Sequence, residues 1–250
     1  APATNDEFVG CGDDYLLLST TGGPAAFLID GAGVVAFRWA LPFRESFPDH
    51  PHVDDPVPDS KVSFQRVRLL PGGDLVAVYH GGDDSPFGYG AVRMDKRSRP
   101  VWVHAGRAHH DFDIGPDGRI YLLEHDFSEL PVPRGLNVRK KHLRDSVAVL
   151  TPEGVQERRV DLVSAFEGTA FEPLLNYRNP AALRWGKDEE LRNPGPQRGD
   201  LLHSNSIRVL LPGGEYALPG VKPGQVLLSI REPSILAVLD LETAKIVWAS

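Results

Sequence analysis

The feature that most restricts what this chain can become is a hairpin written several times over. Val67 to Tyr79 (VRLLPGGDLVAVY), Phe112 to Leu123 (FDIGPDGRIYLL) and Ser206 to Ser229 (SIRVLLPGGEYALPGVKPGQVLLS) each run a β-type stretch into a Pro-Gly-Gly or Pro-Asp-Gly turn and out into a second β-type stretch. The last copy has a longer loop. Glycine supplies positive φ and proline a fixed φ, so these residues at this spacing predict strand, tight turn, strand. Each hairpin is followed by another whose last strand can end in Val/Ile-Trp or an equivalent: Ala91 to Val103, Val147 to Val160 and Ile235 to Trp248. An earlier copy, Phe27 to Trp39, follows the run Tyr15 to Ser19. The chain therefore reads as four units of about four strands. A β-sandwich uses the same turns, but repetition of the whole hairpin pair points to an all-β chain of the β-propeller type, with the tryptophans as wedges between blades.

The repeat accommodates two expected insertions within a single propeller domain spanning 1–250. Residues 126–144 read as a loop, first Pro-containing and then basic (Arg139, Lys140, Lys141, His142, Arg144), most simply a solvated charge run that could also capture anions. Residues 161–200 contain LVSAF and AALRWGKDEELR, each expected as a short helix, before the turn-rich NPGPQRGD.

Composition excludes several function classes. With 27 Lys+Arg against 34 Asp+Glu the formal charge is −7, which lacks the clustered cationic excess that nucleic-acid binding needs. The one cysteine, Cys11, allows no internal disulfide and no CxxC site. No apolar run reaches the roughly 20 residues of a membrane span, and no signal segment is visible. There is no GxSxG elbow, P-loop or GxGxxG element, so no cofactor is expected.

Candidate chemistry lies at strand starts. His109, His110, Asp111 and Asp113 open one unit, and His203, Ser204 and Asn205 open the next. Equivalent strand starts in neighbouring blades converge on one channel mouth, so these clusters are expected to share a pocket. Period-two alternation puts His203 and Asn205 on one side and Ser204 and Ser206 on the other. Arg231 ends the apolar strand QVLLSI, where a guanidinium needs solvent or an anion; a plain pair with Glu232 is the alternative. Imidazoles, an amide and a guanidinium around one cavity suit a sulfate or phosphate group. His109, His110, Asp111 and Asp113 could instead ligate a divalent metal, but no helical metal-binding spacing is present, and the expectation is no metal.

Taken together, HHDFDIGPDGRIYLL (109–123), DLLHSNSI (200–207) and VLLSIREPSILAVLDLETAKIVW (226–248) resemble the bacterial arylsulfotransferase family over most of the chain. The diagnostic part is His-x-Asn-x-Ile followed by Leu-x-Ser-x-Arg. The resemblance implies a six-bladed propeller that moves a sulfuryl group from a phenolic sulfate ester to a phenol through a sulfohistidine, without a nucleotide donor. By position, His110 resembles the channel histidine, with His109 as the register alternative, His203 and Asn205 the second pair, and Arg231 the sulfate-binding arginine. The expected catalytic residues are thus His110, His203 and Arg231, and the substrate-binding residues Asn205 and His109. The family's nucleophilic histidine and last two blades are expected beyond Ser250. An incomplete ring would leave a sheet edge open to pairing with a second copy. The family's habit implies a periplasmic or extracellular location. The expected partners are an aryl sulfate and a phenol. Two other readings stay open: a non-catalytic propeller that binds sulfated aromatics, and a quinoprotein-like propeller suggested by LDLETAKIVW.

Overall fold

The computed structural model describes residues 15–132, 138–176, 198–214 and 216–250. Cys11 and the second expected helix, within 181–192, lie outside them. The described residues form four successive antiparallel sheets. The first holds β1 (Leu16–Ser19), β2 (Ala25–Ile29) and β3 (Val35–Ala40). The second holds β4 (Val62–Leu69), β5 (Leu75–Gly81), β6 (Gly88–Met94) and β7 (Pro100–His104). The third holds β8 (Ala108–Ile114), β9 (Ile120–Ser128), β10 (Val138–Leu150) and β11 (Gln156–Asp161), and β12 (Arg198–Asp200) adds to β10 in parallel. The fourth holds β13 (Ser204–Val209), β14 (Val226–Ile230), β15 (Ile235–Asp240) and β16 (Lys245–Ala249). In each sheet the main strands follow one another in chain order, as four consecutive meanders require.

Alternation along the middle strands shows how the sheets stack. On β5, Leu75, Ala77 and Tyr79 join a core with Ala26 and Trp39 of the first sheet, while Val76 and Val78 join a core with Phe112 and Leu122 of the third. On β9, Ile120 and Leu122 face the second sheet, whereas Tyr121 and Leu123 face Ile207 and Leu228 of the fourth. Both faces are dry, so these strands read as continuous apolar runs. Each pair of neighbouring sheets has its own core, and the first strands β1, β4, β8 and β13 lie side by side.

Two of the tryptophans bridge sheets. Trp39 Nε1 on β3 donates to Gly73 O in the β4–β5 turn at 3.2 Å, and Trp102 Nε1 on β7 donates to Pro152 O in the β10–β11 turn at 3.1 Å. Gly154 in that second turn has φ +84°, and a Cβ there would lie 2.6 Å from the Trp102 ring. Only glycine fits both demands.

One expectation about the insertions changes and one holds. The 126–144 segment is no solvated loop at its ends: β9 and β10 extend as an arm, pairing Asp126 with Arg144, Phe127 with Leu143 and Ser128 with His142. Arg144 is buried and its Nε donates to Asp161 Oδ2 at 2.8 Å, while Lys141 Nζ stands 4.4 Å from the centre of the Phe127 ring. Arg144 is thus committed to an internal carboxylate and is not free for anion capture. LVSAF is a helix, α1 (Leu162–Phe166), capped by Asp161, whose side chain accepts the Ser164 N–H. No helix of the described residues is long and apolar enough to cross a membrane.

Candidate functional site

The site forms where three first strands break their pleat. Register shifts fall between Phe64 and Arg66 on β4, between Ala108 and Phe112 on β8, and between Ser204 and Ser206 on β13. His110 and His203 take left-handed φ values of 56° and 51°. Bulges re-aim side chains, and here they turn adjacent residues into one pocket. His109 and His110, which a regular strand would send to opposite faces, have ring centroids 5.1 Å apart. The same irregularity defeats strict alternation in the second cluster, because His203 precedes β13 in a left-handed conformation and Asn205 sits at the bulge.

Phe87 is the hub. Its ring lies 5.3 Å from His80, 5.6 Å from His109, 5.1 Å from His110, 4.5 Å from His125 and 6.0 Å from His203. Burial favours the neutral form of His80, His109, His110 and His125, since an imidazolium there would lose its hydration. His110 is lowered to about 4, mainly by burial and then by His203, His80 and the Arg231 guanidinium. His125 is lowered to about 3 and His109 well below its ordinary value, burial dominating in both. Burial pushes the Asp145 carboxyl up to about 7, with the Asp200 charge adding to it.

One polar chain runs through the pocket. Asp200 Oδ2 lies 2.7 Å from His203 Nδ1, His203 Nε2 3.2 Å from His110 Nε2, and His110 Nδ1 3.3 Å from His109 Nδ1. Gln65 orients the chain. Its Oε1 accepts the His110 backbone N–H at 2.7 Å, which turns its amide NH2 toward His110 Nδ1 at 3.2 Å. Nδ1 of His110 therefore accepts, its ring proton sits on Nε2 and is given to His203, and His203 gives its own Nδ1 proton to Asp200.

The structure thus brings together His109, His110 and His203. Arg231 follows β14, and its N–H donates to His203 O at 3.2 Å, but its guanidinium is half exposed and bonds Glu232 Oε1 at 2.8 and 3.1 Å. The alternative of a metal held by His109, His110, Asp111 and Asp113, not the one expected, finds both carboxylates engaged by arginines. Asp111 pairs with Arg66 at 3.0 Å and Arg208 at 2.6 Å, and Asp113 with Arg68 at 2.7 Å. His109, His125 and Asp145 each bring one atom able to ligate a cation within 4.8 Å of the others. Sequence reading missed Gln65, His80, Phe87, His125, Asp145 and Asp200. The available signal was an ionisable residue amid an apolar strand, as for His125 after IYLLE and Asp145 before SVAVL. A separate cleft of about 630 Å³ is lined by His52, His104, Arg107, Glu124 and Arg159. There Glu124 is already held by His104 at 2.5 Å and Arg159 at 3.0 Å.

No family model matches this chain, and no curated protein matches it in sequence. Among solved structures, the hydrazine synthase of Kuenenia stuttgartiensis aligns with 91% of this chain and 49% of its own, at 16% identity and a TM-score of 0.47. The chain spans about half the length of that protein's chain.

Proposed function

We propose that the four sheets are consecutive blades of a β-propeller and that the histidine pocket at their first strands is a sulfuryl-transfer centre of the arylsulfotransferase type. Side-by-side first strands, a core between each pair of sheets, and an outward face of the first sheet that leaves Leu16, Leu18, Val35 and Phe37 exposed support the ring. The observation that carries the chemistry is the 3.2 Å contact of His110 and His203, two imidazoles from different sheets, with Asp200 behind the second.

That arrangement supplies complementary groups. His203 frees an Nε2 lone pair when its bond from His110 Nε2–H is exchanged for substrate, and Asp200 holds its other nitrogen, so it is equipped to take the proton of an acceptor phenol. His110 presents an Nε2–H donor, and Arg231, one residue past β14, supplies a cation at the rim once its side chain exchanges Glu232 for an anion. Both would then donate to the sulfuryl oxygens as the deprotonated phenol oxygen bonds to sulfur, the ester S–O bond breaks and the aryl oxide leaves. Asn205 sits at the β13 bulge, two residues from His203.

The test offers p-nitrophenyl sulfate and phenol to the protein, reading p-nitrophenolate by absorbance and phenyl sulfate by mass spectrometry. Transfer that is lost in His110→Gln and His203→Gln supports the reading. Ester binding weakened by both substitutions, with no turnover, reassigns the pocket as a binding module for sulfated aromatics. Neither binding nor turnover overturns both.

A further inference from the structure

We propose that His109 and Asp145, joined by His125, bind one divalent metal ion of the Zn²⁺ or Co²⁺ class behind the His110–His203 pair. Gln65 makes His110 Nδ1 an acceptor, so His109 Nδ1, 3.3 Å away, must carry the His109 proton. His109 Nε2 is then a bare lone pair. It is buried, has no hydrogen-bond partner, and faces Asp145 Oδ1 across 3.9 Å. Asp145 Oδ2 already accepts the Ser204 N–H at 2.6 Å, which leaves Oδ1 as the free oxygen.

Two lone pairs facing one another in a dry pocket repel unless something positive lies between them. A shared proton fits poorly, because 3.9 Å exceeds the reach of a hydrogen bond. Two coordination bonds of about 2.0–2.2 Å span about 3.5 Å at a tetrahedral angle and up to about 4.4 Å when opened toward linear, so at 3.9 Å one ion can touch both. The His125 ring stacks on His109 with centroids 4.2 Å apart, and its Nε2 accepts the Gly88 N–H at 3.1 Å. His125 enters the coordination sphere only by exchanging that bond for the ion. His109 and Asp145 are therefore the anchors and His125 the weaker third ligand. Two imidazoles and one carboxylate select a borderline cation over Mg²⁺ or Ca²⁺, which take oxygen sets.

The site does not rest on the sulfuryl reading, and its test reads metal alone. Chelator-washed protein is dialysed against Zn²⁺ and the bound ion counted, and Co²⁺ is titrated for its visible ligand-field bands. The expected result is one ion per chain, with affinity at least about tenfold weaker in Asp145→Asn, a smaller loss in His125→Gln, and none in the control His50→Gln. X-ray absorption of the Zn²⁺-loaded native protein, which needs no variant to fold, should show imidazole ligation. Substoichiometric binding to folded native protein, unchanged affinity in folded Asp145→Asn, or a zinc shell without imidazole would each overturn the proposal.

Discussion

Strand β8 carries two polar stretches that solve burial in opposite ways. At Asp111 and Asp113 the charge is kept and met: Arg66 and Arg68 reach across from β4, Arg208 from β13, and the Ile207 and Val209 amides donate at 3.3 and 2.9 Å. Three sheets are thereby stitched at their first strands. At His109 and His110, immediately before, the charge is given up. The rings are neutral, their bonds run to other imidazoles and to Gln65, and the backbone leaves the pleat to bring them together. Saturated charge serves cohesion, because nothing is left to offer a ligand. Neutral nitrogens, whose bonds to one another can be exchanged for a ligand, serve chemistry.

The largest effect that would break this division falls on the histidine side. His203→Gln should slow aryl-sulfate transfer by roughly 10²–10⁴-fold, the usual worth of a positioned acid or base, while leaving the melting temperature nearly unchanged. The reverse outcome, loss of stability with activity intact, would make the imidazole chain a structural element. Asp111→Asn should do the opposite. It leaves two arginines without their carboxylate, and because both arginine ends are half exposed the cost is about 3 kcal/mol, at the low end for a buried pair. Urea unfolding measures it.

A carboxylate of the saturated kind also sets an acid limit. Burial by itself would raise the Asp240 carboxyl, but bonds from Gln225, the Thr243 and Glu242 amides, and Lys222 outweigh it and bring it to about 2, from an ordinary 3.8. A folded pKa below the unfolded one contributes stability that is complete above the unfolded value and lost as pH falls toward the folded value. Stability should therefore drop by about 2 kcal/mol from this group as pH falls from roughly 4 to 2. Asp240→Asn should remove that part of the slope, which denaturant titrations across the range would show.

Much of the framework was legible because turn chemistry is local. The Pro-Gly-Gly and Pro-Asp-Gly turns at 71–73 and 116–118 close hairpins where the residues say they must, and the Trp39 and Trp102 bridges follow from their place on the last strand of a sheet. The convergence of His110 and His203 followed from equivalent positions at strand starts. The remainder depended on partners far apart in sequence. Asp126 and Arg144 looked like loop residues because their alternation is polar on both faces, and only the pairing of β9 with β10 makes them a strand. A regular pleat would point only one of His109 and His110 inward. A bulge with φ 56° removes that choice, and no residue type there announces it. Asp145 and Gln65 gain meaning only from Ser204 and His110, 59 and 45 residues away.

The smallest expected effect is also the sharpest discriminator between the two halves of β8. Gln65 touches no charge, and Gln65→Met keeps its bulk while removing both of its bonds to His110, so stability should fall by only about 1 kcal/mol. The consequence belongs to the proton positions. Without the amide NH2 beside His110 Nδ1, nothing from β4 holds the ring in its Nε2–H form, and the donor aimed at His203 becomes a mixture of tautomers. Nitrogen-15 spectra of the imidazoles should show His110 with one protonated Nε2 in the native protein and averaged nitrogens in Gln65→Met, and Gln65→Glu should not restore the native pattern, since a carboxylate has no N–H to give. A purely structural glutamine would change the melting temperature and leave those nitrogen shifts where they were.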